Sequence, residues 1–242
     1  MKHPPHTDLI RSARWILRHT RATRAHLTPS IALHLITPEC PMWLASASQF
    51  LGETELATQN WTPTVPYWAF YWPGGQGVTK YILDHPAVVN DRDVLDVGCG
   101  CGSGSIAALM RGARAVTAND IDHNALLALR INARRNDVWC PKRVRLEPRD
   151  LICEPLSESL AINTILVGDL FYESVFATKL LVWLERVRER NPNVRILLGD
   201  PGRHALSADA KRKMRLLKHY ALPVTVSSEY FGCTGVSVYE LS

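Results

Sequence analysis

The fold turns on residues 94 to 104, Val94-Leu-Asp96-Val-Gly98-Cys-Gly100-Cys-Gly102-Ser-Gly104. Asp93 to Val97 carry the near-continuous apolar run of a parallel strand buried on both faces. Glycine then takes every second position, which removes the side chains that keep a ligand away from the backbone and admits φ values closed to other residues. A helix is expected from Ser105 to Arg111, so strand, glycine turn and helix N-terminus form an element suited to a nucleotide-like ligand. The dinucleotide fingerprint G-x-G-x-x-G does not fit: its third glycine falls on Ser103, and it gives no reason for Asp96 before the first glycine. Four glycines in one loop cost conformational entropy on folding, and a turn that holds no ligand has no use for them.

Around this stretch the chain has the composition of one globular α/β domain with an added N-terminal segment, 242 residues of which 46% are hydrophobic and 21% charged. No apolar run approaches the roughly 20 residues of a transmembrane helix, so no membrane partner is expected. Six cysteines, Cys40, Cys99, Cys101, Cys140, Cys153 and Cys233, show no paired CxxC spacing, which points to a reducing compartment and away from a disulfide framework or a structural zinc. Cys99 and Cys101 read as small loop fillers, and no metal is expected. The formal net charge of +5 is concentrated in residues 11 to 24 and 211 to 218. Neither cluster is interleaved with aromatics in the manner of a base-stacking surface, so no nucleic-acid partner is expected; a solvated helix face suits the second cluster and an acidic protein either, and a monomer is expected.

Upstream, residues 9 to 25 are arginine-rich and free of acids, a composition shared by a mitochondrial presequence and by a folded amphipathic helix with Leu9, Ile10, Ala13, Ile16 and Leu17 on one side. A second short helix is expected from Ser30 to Leu35, with Pro29 in its first turn and Pro38 and Pro41 closing it. The turn-prone stretch from Ala45 to Pro66 reads as a linker and divides the chain into an N-terminal helical extension, residues 1–65, and a main domain, residues 66–242. Next comes Pro66-Tyr-Trp68-Ala-Phe-Tyr-Trp72-Pro-Gly74-Gly75-Gln76, ahead of a helix expected from Val78 to His85. Two tryptophans alone suit a core. With Pro-Gly-Gly behind them they suit a wall over a ligand, since glycine lets a backbone come close while an aromatic face covers it.

Downstream, strands are expected at Ala115 to Ala118, Arg143 to Leu146, Thr164 to Val167 and Val194 to Leu198. They alternate with helices at Asn124 to Asn136 and Val175 to Arg190, the pattern of a doubly wound, mostly parallel sheet. Asp120 stands roughly two dozen residues after Asp96, where a carboxylate ending the second strand holds ribose hydroxyls in nucleotide folds, and Asp122 suits the cap of the next helix. Asp150 follows the third strand, Gly168-Asp169-Leu-Phe-Tyr172 the fourth, and Gly199-Asp-Pro-Gly-Arg203 the fifth. A basic helix from Ala208 to His219 and strands at Val224 to Ser227 and Val236 to Leu241 complete the reading, the last two as an antiparallel hairpin around Gly232 and Gly235.

Asp96-Val-Gly98-Cys-Gly100-Cys-Gly102 resembles the first motif of the S-adenosylmethionine (SAM) methyltransferases, and Asp169-Leu-Phe-Tyr172 resembles the D-x-x-Y motif that one group of them carries after strand four. More narrowly, the chain is similar to the electron transfer flavoprotein beta subunit lysine methyltransferase family from about residue 9 to its end. The likeness rests on Leu27-Thr-Pro29 to Leu35-Ile-Thr-Pro38 with Cys40, the aromatic block, Ala118-Asn-Asp120-Ile-Asp122, and the Gly168 to Tyr172 and Gly199 to Arg203 turns. A short N-terminus and a polar stretch from Gln49 to Gln59 depart from it.

The resemblance implies a seven-strand Rossmann-like SAM methyltransferase fold, SAM as cofactor, and N-methylation of lysines on the flavoprotein beta subunit, in the mitochondrial matrix or in a bacterial cytoplasm. It implies that Asp96 and the backbone of Gly98, Gly100 and Gly102 hold the methionine end of SAM, Asp120 the ribose and Asp150 the adenine amino group, with Trp72 and Asp169 beside the cofactor. Asp169 becomes the lysine binder, Tyr172 and Trp72 wall the amine channel, and Trp68, Tyr172 and Arg203 face the substrate. Arg203 suits equally well a structural role beside Asp200. Methylation of another protein, such as a ribosomal protein, or of a small molecule shares the cofactor half. The Asn/Asp-Pro-Pro-Tyr/Phe motif of base methylation is absent after the fourth strand.

Overall fold

The computed structural model describes residues 6–45, 65–154, 162–230 and 232–242; the stretch from Gln49 to Gln59 lies outside them. A hairpin of β1 (Arg21–Thr23) and β2 (Leu33–Leu35) precedes a seven-stranded sheet of β3 (Asp93–Val97), β4 (Ala115–Asn119), β5 (Val144–Glu147), β6 (Thr164–Gly168), β7 (Arg195–Asp200), β8 (Met214–Ala221) and β9 (Gly235–Leu241), ordered β5-β4-β3-β6-β7-β9-β8. β3 to β7 run parallel, and β9 runs antiparallel between β7 and β8. Strand order reverses between β3 and β6, and a crevice at the carboxyl ends of such strands is where open α/β sheets bind ligands.

Burial on both faces explains the apolar strand sequences. Val94, Val116, Leu166 and Leu197 point to a core that contains Ile82 and Val78 of α2 (Pro73–Asp84), Ile106 and Leu109 of α3 (Ser103–Met110), and Leu129 of α4 (His123–Arg135). Their neighbours Leu95, Val97, Ile165, Val167, Ile196 and Leu198 point the other way, onto Leu180, Trp183, Leu184 and Val187 of α5 (Ser174–Arg190). Alternation along each strand thus loads both layers. Among the described residues no helix is long and apolar enough to cross a membrane.

Three local expectations are corrected. Residues 30 to 35 form no helix: β2 pairs with β1 as a hairpin, and Leu33 and Leu35 enter the same core as β3. Residues 208 to 219 split into α6 (Ala208–Arg212) and β8, whose partner is β9. An edge strand exposes most of its side chains, and charged residues such as Arg215 and Lys218 there discourage pairing with other chains, so β8 lacks the alternation that marks a strand. Residues 224 to 229 form α7 (Val224–Glu229) after Pro223, although Val-Thr-Val favours a strand; burial of Val226 and Tyr230 against Leu222 and Val236 decides it.

The N-terminal segment belongs to the same core. In α1 (His6–His19) Ile16 is buried against Ala125 and Ala128 of α4, whereas Leu9, Ile10 and Leu17, expected on the same face, are exposed. Two asparagines of the α4 C-terminal end tie the hairpin down. Asn132 Oδ1 accepts the His34 N–H at 2.7 Å, and Asn136 both accepts the Ala32 N–H at 2.8 Å and donates to the Ala32 carbonyl at 2.7 Å, as an edge strand would. Asn132 also donates to the Cys101 carbonyl at 2.9 Å, which ties the hairpin, α4 and the glycine loop together.

Candidate active site

Four carboxylates stand at the carboxyl ends of four strands: Asp96 on β3, Asp120 after β4, Asp169 after β6 and Asp200 on β7. Asp96 is buried, and its Oδ2 accepts the Ser105 backbone N–H at 2.8 Å and the Ser105 hydroxyl at 2.7 Å. It therefore satisfies a free donor in the first turn of α3 and anchors the helix to the strand. Burial pushes its carboxyl up to about 6 against the pull of both Ser105 bonds, with a smaller upward contribution from the charge of Asp120.

The loop glycines divide by cause. Gly98, Gly100 and Gly102 all have positive φ, at 61°, 51° and 84°. A Cβ on Gly98 would meet Leu170 Cδ2 at 2.9 Å, and one on Gly102 would meet Leu129 Cγ at 2.5 Å, so these two glycines are also needed for packing. A Cβ on Gly100 would meet nothing nearer than 3.8 Å. The space over Gly100 is the cradle a ligand can enter, and its N–H donates to Asp120 Oδ2 at 3.0 Å. Asp120 Oδ1 accepts the Asp122 N–H at 3.0 Å, and burial pushes this carboxyl up to about 6 as well, against those two bonds. A carboxylate beside an open glycine backbone fits a nucleoside cofactor. Asp122 caps α4 through the Asn124 N–H at 2.8 Å, as expected. Asp150 Oδ1 accepts the Ile152 and Cys153 N–H groups, both at 3.1 Å, and so shapes the turn after β5.

Asp169 is the most constrained residue of the group. Its φ of 62° is left-handed, a conformation that costs a non-glycine residue on the order of 1 kcal/mol. The surroundings impose it: the backbone N–H donates to the Gly199 carbonyl at 3.0 Å, Oδ2 accepts the Gly74 N–H at 2.7 Å in the first turn of α2, and Oδ1 pairs with Arg203 Nε at 2.8 Å. Its side chain is 2% exposed. The next residue, Leu170, fills the place a Gly98 Cβ would need, so this turn lies directly against the glycine loop.

Pro-Gly-Gly has a different cause from the one expected of it. A Cβ on Gly74 would come within 2.5 Å of Asp169 N, one on Gly168 within 2.7 Å of Gly75 Cα, and one on Gly199 would overlap the Gly74 carbonyl oxygen. Gly74, Gly168 and Gly199 thus let the α2 N-terminus lie against the ends of β6 and β7, which brings its N–H to Asp169. The approach is between backbones of this chain. Gly168 and Gly199 were invisible as a set in the sequence because the Gly74-Gly75 pair they meet lies more than ninety residues upstream of either.

The two tryptophans separate. Trp68 is 5% exposed and packs edge-on to Trp15 with centroids 6.4 Å apart, which puts its ring in the core between α1 and α4 rather than over a substrate. Trp72 caps α2, donates its indole N–H to the Tyr67 carbonyl at 2.9 Å, and lies 5.8 Å from Phe70 and 5.5 Å from Tyr230. Arg203 Cζ stands 5.8 Å from its ring centroid. The Arg203 side chain pairs with Asp169 rather than with Asp200, its structural partner in one of its two readings; Asp200 accepts the Gly202 and Arg203 backbone N–H groups at 2.7 and 3.0 Å. Burial pushes Asp200 above the usual carboxylate range, and among the described residues its Oδ2 has no hydrogen-bond partner. Tyr172 is 57% exposed and stacks on Phe176 at 5.6 Å. Among the described residues no group of three His, Cys, Asp or Glu could hold a metal ion.

Comparison with known proteins places this geometry. The model of the ribosomal protein L11 methyltransferase (PrmA) family matches residues 81–167. The chain is 36% identical to the electron transfer flavoprotein beta subunit lysine methyltransferase homolog of Caenorhabditis elegans over 250 aligned residues, 97% of each chain. It is 38% identical to the electron transfer flavoprotein beta subunit lysine methyltransferase of Xenopus laevis over 240, 98% of this chain and 89% of the relative. A methyltransferase solved in complex with SAH shares the fold at 15% identity, with a TM-score of 0.51 over 72% of this chain and 50% of its own.

Proposed function

The chain belongs to the electron transfer flavoprotein beta subunit lysine methyltransferase family, and we propose that it transfers methyl groups from SAM to lysine side chains of the beta subunit of electron transfer flavoprotein. Membership makes it a SAM-dependent methyltransferase. The observation that carries the lysine reading is the buried Asp169 carboxylate, held against the glycine loop beside the Trp72 ring and already bearing a cationic partner. An anion next to an aromatic face is the chemistry that receives an ammonium group. The family model of the ribosomal protein methyltransferases ends at residue 167, short of Asp169, so it supports the cofactor half and leaves the acceptor open.

SAM supplies a methyl carbon made electrophilic by the sulfonium that carries it. The protein has then to align an amine and to hold it neutral, since a free lysine, with a pKa of about 10.4, is almost wholly protonated at neutral pH. In this reading Asp169 binds and orients the lysine nitrogen, Trp72 and Tyr172 flank it, and closure around the site removes water, which favours the neutral amine. Asp96 with the Gly98 to Gly102 backbone holds the methionine end, Asp120 the ribose hydroxyls and Asp150 the adenine amino group. Trp68 is given no part, because its ring is in the core.

Four results are expected. SAM affinity weakens by about tenfold from pH 7.5 to pH 5, because a proton on Asp120, whose free carboxyl titrates at about 6, removes an acceptor the ribose needs. Stability moves the other way: a carboxyl raised above its unfolded value favours the protonated fold, so the stabilisation is present at low pH and lost as pH rises through 6. Calorimetric titration across that range should give a curve that flattens in Asp120→Asn. Gly100→Ala, whose Cβ meets nothing nearer than 3.8 Å among the described residues, should fold with a loss of about 1 kcal/mol for its positive φ and weaken SAM binding by about tenfold. Gly102→Ala should lose more stability than that, since its Cβ meets Leu129.

The deciding assay combines labelled SAM, the purified protein and the flavoprotein beta subunit, followed by hydrolysis to amino acids. Label recovered as methyl-lysine supports the proposal. Label absent from that subunit, while another protein or RNA of a lysate accepts it, refutes it.

A further inference from the structure

The Arg203 guanidinium holds both contacts that a substrate ammonium would require. Its Nε donates to Asp169 Oδ1 at 2.8 Å, and its Cζ lies 5.8 Å from the Trp72 centroid. We propose that Arg203 is a built-in occupant of the acceptor-amine site, and that its displacement from Asp169 makes the enzyme select lysines carried on a docked protein over free amines and short peptides. This rests on the reading of Asp169 as the lysine binder.

Three features let the occupant leave. The Arg203 side chain is 32% exposed, so its exit to solvent is open. It follows Gly202, whose φ is 103° and beside which no described atom lies within 4 Å of where a Cβ would stand, so there is room next to the turn. The same turn contains Asp200, 1% exposed, whose Oδ2 lacks a hydrogen-bond partner among the described residues. A displaced guanidinium therefore has a second carboxylate in its own turn to move toward. Asp169 keeps its Gly74 N–H throughout and stays aimed.

The selectivity follows from competition. An isolated amine must break an ion pair of limited exposure and receives in return only the contacts that pair gave up, a near-even exchange. A lysine on a protein that also touches the surface around the site brings binding free energy from elsewhere to the exchange, and that remote energy drives the displacement. A carboxylate without an internal partner would accept small cations as readily as the correct substrate.

Arg203→Ala and Arg203→Gln test this, the second retaining bulk and an N–H donor in case the first misfolds. The expected result is that methylation of an unstructured lysine peptide, relative to the folded protein substrate, rises by about tenfold or more in both variants. Methylguanidinium chloride should restore the wild-type preference in Arg203→Ala by refilling the site. Equal loss of methylation on peptide and protein with SAM binding intact would overturn the proposal and make Arg203 a substrate contact or a positioning residue for Asp169; an unchanged preference overturns it as well. A binding arm needs no protein substrate. n-Butylammonium should shift the Trp72 indole N–H resonance, assigned by its disappearance in Trp72→Phe, in Arg203→Ala and far less in the wild type. A shift of equal size in both refutes the occupant, whereas failure to label the flavoprotein subunit with this difference intact refutes only the substrate identity.

Discussion

Asp169→Asn should lower methyl transfer at saturating SAM by at least about a hundredfold while leaving the SAM dissociation constant within a few-fold of wild type. Asparagine is the informative substitution because it keeps the volume, tolerates the left-handed φ of 62°, and still offers an oxygen to the Gly74 N–H. What it removes is the charge. A buried carboxylate facing a cation contributes several kcal/mol when one partner is deleted, about 3 to 5, and the part of this that is expressed at the transition state appears in turnover. Single-turnover kinetics with labelled SAM, together with a SAM titration, separate the two quantities. Turnover within tenfold of wild type would remove Asp169 from the mechanism, and a parallel loss of SAM affinity would reassign it to the cofactor.

Gly199→Ala should destabilise the protein by about 3 kcal/mol or more and lower its melting temperature by roughly 6 to 12 °C. The added methyl would overlap the Gly74 carbonyl oxygen and stand 2.8 Å from both the Gly74 carbonyl carbon and Val78 Cγ2. Two of these three atoms are backbone, in a helix turn and against a central strand, so no side-chain rotation relieves the contact. Relief requires α2 to lift from β6 and β7, which also withdraws the Gly74 N–H from Asp169, so activity should fall below the folded fraction. Gly75→Ala is the control one residue away. Its Cβ would meet only Tyr71 carbons, at 3.7 and 3.9 Å, and a helical glycine replaced by alanine should gain a few tenths of a kcal/mol. Thermal melts of the pair check the argument, and equal melting temperatures would refute it.

The parts of the fold legible in the sequence were those whose local pattern and burial agree. β3 appears where Asp93 to Val97 indicated it, and β4 to β7 lie within a residue or two of their expected bounds, because strands covered on both faces have to be apolar throughout. The C-terminal region was less legible. β8 is a half-wet edge whose basic residues look helical until β9 supplies its partner, and α7 uses a β-branched run because Val226 and Tyr230 find a pocket. In the site, the positions of Asp96, Asp120 and Asp169 at strand ends could be read from their spacing. The split between Trp68 and Trp72 could not, because two tryptophans four residues apart share a composition and differ only in what lies opposite each ring.

By itself the amino-acid sequence determined the βα alternation, the glycine loop with its acid, and the carboxylates at the carboxyl ends of the strands, since each depends on neighbours close along the chain. The tertiary structure alone decided the rest. It seated the α2 N-terminus on β6 and β7 through three glycines far apart in sequence, put Arg203 on Asp169 rather than on Asp200, and left Asp200 Oδ2 without a partner among the described residues. The physical reason is that backbone approach, ion-pair choice and hydrogen-bond satisfaction depend on which distant groups meet, and that is settled only when both faces of the sheet are packed.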